Sequence, residues 1–124
     1  MIVRMWETLV KPGRLDDLVE HVATNVWPSV TAADGFVGGE ILRSVGRSEQ
    51  RLLLVTRWRD EEALEHFLGP AWTAHELTPV PDEASFLGGV PFVDNWLVVG
   101  TGDRKSLDAT TPTVTQSASG AASR

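Results

Sequence analysis

Residues able to do chemistry are few and scattered in this 124-residue chain. His75 is the first. It follows the Gly69-Pro70 break and falls on the continued apolar face of a helix that runs from Asp60 through Leu64 and Leu68. An imidazole titrates near neutral pH, so His75 is the candidate general base. Asp94 is the second. It sits among Phe92, Val93, Leu97 and Val98, where a charge is costly unless paired. Asp94 is read either as the structural partner of Arg57 or Arg43, or as a base acting through water. Arg57 can hold an oxyanion, and Asn95 adds an amide donor beside it. Trp6, Phe67, Trp72 and Trp96 supply flat apolar walls for a pocket, with core filling as the plainer use of the same rings. Trp58 and Trp27 are expected to pack. His66 falls at the edge of its helical stripe, and His21 falls off its own. The three histidines match no metal-ligand spacing and there is no Cys, so no metal site is expected.

Position depends on the elements that carry these groups. Ile2–Val10 is β-rich and apolar on both parities, a strand expected to be buried on both faces. Leu15, Leu18, Val19, Val22 and Val26 form one helical face, with Asp16 and Asp17 in the first turn where the dipole favours them. Pro28 disturbs the end of that helix, and Asp34-Gly35 turns the chain. Phe36–Val45 and Arg51–Arg59 read as a hairpin around a short polar loop. Asp60 caps a second helix over Ala63, Leu64, Phe67 and Leu68. A Pro/Gly-rich loop then leads to a last strand, Phe92–Val99. The order β-α-β-β-α-β predicts an α+β, ferredoxin-like fold, an antiparallel sheet with its helices on one face. The other sheet face is also apolar and would be uncovered, so a face-to-face homodimer is expected.

Composition bounds the rest. One domain fits this length. Residues 1–100 are expected to form it, and residues 101–124, rich in Ser, Thr, Ala and Gly, are expected to be a flexible tail. A net charge of −6 lacks the basic face that nucleic acid needs. No apolar run is long enough to span a membrane, and Arg4 and Glu7 interrupt the apolar start, so a cytoplasmic location is expected. Five Trp stand against no Tyr, which suggests aromatic-lined space.

The stretch Val55-Thr56-Arg57-Trp58-Arg59-Asp60-Glu61-Glu62-Ala63-Leu64 resembles the strand-to-helix passage of antibiotic biosynthesis monooxygenase (ABM) domains, in the dimeric α+β barrel superfamily. Asp34-Gly35-Phe36-Val37-Gly38 is similar to that family's Gly-Phe entry into the second strand. The resemblance covers residues 1–100. It implies a homodimer with one pocket per subunit, between sheet and helices. It further implies a cofactor-independent monooxygenase of secondary metabolism that acts with O₂ on an aromatic or polyketide-like small molecule. In that reading His75, or Asp94 through water, takes the proton, Arg57 and Asn95 hold the anion, and Trp6, Phe67, Trp72 and Trp96 stack the rings. Haem-degrading relatives use a first-strand Asn, which falls here near Trp6 or Glu7, and a helix Trp, which falls at Phe67. Only His75 matches, so haem is an alternative and no cofactor is expected. The pocket Tyr of related anthrone oxygenases has no counterpart. A non-oxidative cyclase or isomerase and a non-catalytic haem or small-ligand binder are the alternative functions.

Overall fold

The computed structural model describes residues 1–46, 49–74 and 81–104. Strands β1 (Ile2–Val10), β2 (Phe36–Arg43), β3 (Gln50–Trp58) and β4 (Phe92–Leu97) form one antiparallel sheet in the order β2-β3-β1-β4. This is the ferredoxin-like arrangement. Helices α1 (Leu15–His21), α2 (Trp27–Thr31), α3 (Glu61–Leu68) and the short α4 (Pro81–Ala84) complete it, with a 3₁₀ turn at Pro70–Thr73.

Pairing register decides which parity faces the helices. Ile2, Arg4, Trp6, Thr8 and Val10 lie opposite Trp58, Thr56, Leu54, Leu52 and Gln50, and this shared face is the helix-covered one. Ile2, Leu52 and Trp58 on this face, with Leu15, Leu18, Val22 and Leu64 from the helical segments over it, are buried and make the core. The alternate parity looks outward. Met5, Leu9, Leu42, Phe92 and Trp96 are exposed there. β1 is therefore not buried on both faces within one chain; its second apolar parity is open.

The first helix does not run straight to its end. Between α1 and α2 the chain widens into a π-helical stretch, Val22–Val26, in which the Trp27 N–H donates to the Val22 carbonyl. Pro28 follows in the first turn of α2. Proline has no N–H to continue the ladder, so a break in register at this point is expected, and π-turns gather at functional sites. Here the widening brings both Val22 and Val26 to the edge of an internal cavity.

α3 begins as the sequence indicates. The Asp60 carboxylate accepts the Ala63 N–H at 2.8 Å, and this bond holds the carboxyl below its usual range. Gly69, at φ 84, ends the helix in a conformation that side chains resist. The segment after it is a 3₁₀ turn and not a continued α-helix. The Pro/Gly-rich stretch contains α4 and is tied to the sheet through a Val10–Leu87 bridge.

Candidate functional site

The cavity lies between the helix-covered sheet face and the helices, with a volume of about 250 Å³. Its walls are mainly apolar: Trp6, Val22, Val26, Leu54, Trp58 and Phe67. Half-exposed Leu68 stands at its edge.

An aromatic chain drawn from four elements ends at the cavity, where its Trp58 and Phe67 form part of the wall. Trp27 of α2 meets Phe36 of β2 edge-on, with centroids 6.2 Å apart. Phe36 meets Trp58 of β3 edge-on at 5.7 Å. Trp58 stacks on Phe67 of α3 at 5.2 Å and 29°. These are the offset and edge-to-face geometries that the ring quadrupole favours. Trp58 is 1% exposed, so its indole N–H needs a partner, and Nε1 donates to the buried Thr56 hydroxyl at 2.9 Å. That bond fixes the plane of the ring that lines the cavity.

The polar part is small. Arg4 and Glu83 are the ionisable side chains on the wall among the described residues, joined by Ser29 and Thr56. Arg4 is 8% exposed. Its Nη1 donates to the Trp72 carbonyl at 2.9 Å and to Asn95 Oδ1 at 3.0 Å. The Asn95 amide donates to the same Trp72 carbonyl at 2.9 Å. The three groups form a closed triangle that pins the guanidinium to the sheet. Burial pushes Arg4 down to about 10, which still leaves it cationic at neutral pH.

The residues singled out in the sequence divide sharply. Trp6 and Phe67 line the cavity as expected. Asn95 is on the correct face but touches Arg4, and Trp72 contributes its backbone carbonyl while its ring packs on the Ile2–Trp58–Leu64 cluster. Arg57, Asp94 and Trp96 belong to the opposite sheet face: Arg57 pairs with Val3, Asp94 with Met5 and Trp96 with Val3 across the ladder. The expected use of Arg57, Asp94 and Trp96 in one pocket with Trp6 is thus corrected by register, since a one-residue offset sends a side chain to the other face. Arg57 forms a two-pronged pair with Glu40 at 2.9 and 3.1 Å, and Arg43 pairs with Asp16. The Glu40 carboxyl is held low and the Arg57 guanidinium high by that bond. His75 lies outside the described residues, as do Arg47, Ser48, residues 76–80 and 105–124.

Arg4 and Glu83 were missed. Arg4 carries the same signal as Asp94, a charge in an apolar strand, and it is the charged residue on the helix-facing parity of β1, with Glu7 on the other. Glu83 sits in a segment whose Pro and Gly content reads as loop.

Comparison with known proteins adds the following. A family model described as antibiotic biosynthesis monooxygenase matches residues 1–76. A comparison with curated proteins finds no match. Among solved structures, the chain is similar to the haem degrader MhuD of Mycobacterium tuberculosis, solved with two haems in its active site. The two share 26% identity and a TM-score of 0.60, over 83% of this chain and 100% of that one. It is also similar to the monooxygenase ActVA-Orf6 of Streptomyces coelicolor in complex with nanaomycin D. Identity there is 18% and the TM-score 0.61, over 84% of this chain and 92% of that one.

Proposed function

The chain belongs to the antibiotic biosynthesis monooxygenase family, and we propose that it is a cofactor-independent monooxygenase acting on an aromatic or polyketide-like small molecule. The observation that carries this reading is the cavity wall. Stacked Trp58 and Phe67, with Trp6, suit a planar ring system in a site with few polar groups. Such a substrate is its own reductant. A base on the wall removes the acidic proton of a phenol or anthrone. The resulting anion gives one electron to O₂, the two radicals combine at carbon, the peroxide anion takes the proton back from the base, and the hydroperoxide loses water. One oxygen atom ends in the quinone carbonyl and the other in water, and the substrate supplies all four electrons that O₂ takes up.

Glu83 is the base this reading draws from the described residues, because it is the carboxylate residue that lines the cavity. His75 is the other base proposed, on its place in the sequence. The pH profiles of Glu83→Gln and His75→Ala separate them: the true base is the one whose loss removes the rising acid limb. Among the described residues on the wall, none has an imidazole, thiolate, thioether or phenol side chain to ligate haem iron. The described residues do not fit haem, and no step runs through it.

The active form in this proposal is a homodimer in the cytoplasm. Met5, Leu42, Phe92 and Trp96 on the outer sheet face support the dimer, since a single chain leaves them in water. No helix among the described residues is long and apolar enough to cross a membrane. Anthrone, oxygen and the purified protein test the function. Enzyme-dependent conversion to anthraquinone with matching O₂ uptake is expected. Isomerised or cyclised products without O₂ uptake, from a wider phenol panel, would favour the non-oxidative alternative.

A further inference from the structure

The cavity wall holds a cation, Arg4, whose hydrogen bonds among the described residues reach no carboxylate, although Glu83 lines the same cavity. Arg4 is buried, and both of its hydrogen bonds go to neutral acceptors, the Trp72 carbonyl and the Asn95 amide oxygen. Both also leave from Nη1. A guanidinium has five N–H donors, so Nε and Nη2 retain three without a protein acceptor among the described residues. The side chain lines the cavity. Contrast five other described arginines. Arg14, Arg43, Arg51, Arg57 and Arg59 each meet a carboxylate, and all of them are more exposed. The best-buried arginine is the one held by neutral groups.

Burying a cation this way is costly, and the depressed Arg4 pKa reflects that cost. Packing alone does not call for an arginine here, since an apolar side chain of similar length would fill the space without desolvating a charge. The Asn95–Trp72 bond adds a reason to regard the group as positioned, because it stiffens the acceptor pair that holds Nη1. What remains is a guanidinium with unused donors on the wall of an apolar, aromatic-walled space, and a guanidinium fork is the group that recognises a planar oxyanion.

We propose that the cavity binds its aromatic ligand as an anion, with the ligand's carboxylate or phenolate oxygen on Arg4 and its rings against Trp6, Trp58 and Phe67. The inference rests on the reading of this cavity as the substrate site. It makes Arg4 the residue that selects charged over neutral ring systems, and Asn95 a positioning residue acting through Arg4. A neutral ligand gives up the charge-assisted bonds that an oxyanion makes to these donors.

Binding of naphthoate and its neutral isostere naphthamide, followed by quenching of tryptophan fluorescence, tests this. Wild-type protein is expected to prefer naphthoate by roughly 10- to 100-fold, the range for a hydrogen bond to a charged group. Arg4→Met should erase that preference while leaving naphthamide affinity within about threefold, which also shows that the variant is folded. Arg4→Lys should keep part of the preference. A nitronaphthol, which ionises well below Arg4, measured across its own ionisation separates the two sources: affinity that rises with deprotonation shows that a phenolate is taken, and flat affinity shows that the carboxylate alone is. Equal binding of naphthoate and naphthamide to wild type, or a preference that survives Arg4→Met, overturns the proposal while the cavity reading stands. If neither compound binds, both fall together.

Discussion

Thr56→Val removes a single hydroxyl from the cavity wall and keeps the shape of the side chain. In the native protein that hydroxyl accepts the Trp58 indole N–H at 2.9 Å, with Thr56 at 7% and Trp58 at 1% exposure. Water does not reach the ring, so valine leaves a buried donor unmatched. The penalty is the desolvation of that donor, about 1–3 kcal/mol, less a few tenths regained from valine's greater apolarity. A value near 2 kcal/mol corresponds to a fall in Tm on the order of 10 °C for a domain of about 100 residues. Thr56→Ser is the control, since it keeps the acceptor and loses one methyl, about 0.8 kcal/mol. Urea denaturation followed by tryptophan fluorescence measures both. The valine variant should be clearly less stable than the serine variant, with an unchanged m-value. Its Trp58 ring is no longer pinned, so affinity for an aromatic ligand should also fall. A valine variant as stable as wild type would mean that the indole N–H has another acceptor, and the account of how this wall is held would be wrong.

Three further outcomes are expected. Gly35→Ala should destabilise strongly, because Gly35 has φ +88 and an added Cβ would collide with the Ala63 Cβ; thermal unfolding checks it. Asp60→Ala should lower stability at neutral pH by removing the cap on α3. The Asp60 pKa is lowered in the folded protein, so its contribution is present above the unfolded carboxylate range and is lost as pH falls through the folded value. The gap between variant and wild type should therefore close in acid when denaturation midpoints are compared across pH. Trp96→Glu should shift the sedimentation coefficient to that of a monomer; a variant that still sediments with wild type places the homodimer contact elsewhere.

The fold was largely legible because its signals are local. The Asp60 cap, the Asp34-Gly35 turn and the alternation of apolar faces each leave a mark within a few residues, and the β-α-β-β-α-β order follows from them. The site was only half legible because it depends on strand register. β1 is apolar on both parities, so nothing in its own pattern says whether Arg4 or Met5 faces the helices. That answer comes from pairing Ile2 with Trp58 and Leu97. The same register sends Asp94 and Trp96 outward and brings Asn95 inward, although the three are consecutive. β4 is an edge strand with an open outer face, so Asp94 is exposed there, and the argument that a charge among apolar neighbours is costly unless paired loses its force for it. It holds for Arg4 on the central strand. The five tryptophans also separate by position. Trp27 and Trp58 belong to one aromatic chain, Trp6 lines the cavity, Trp72 offers a carbonyl, and Trp96 lies on the outer face.

Oxygen uptake with anthrone, in protein freed of metal and flavin, tests the central claim most directly. Consumption of one O₂ for each anthraquinone formed, lost when Phe67→Asp places a charge against Trp58 in the cavity, is the predicted result. A rate equal to that of anthrone alone in buffer, repeated across a panel of polycyclic phenols under conditions where the same compounds bind the protein, would contradict it.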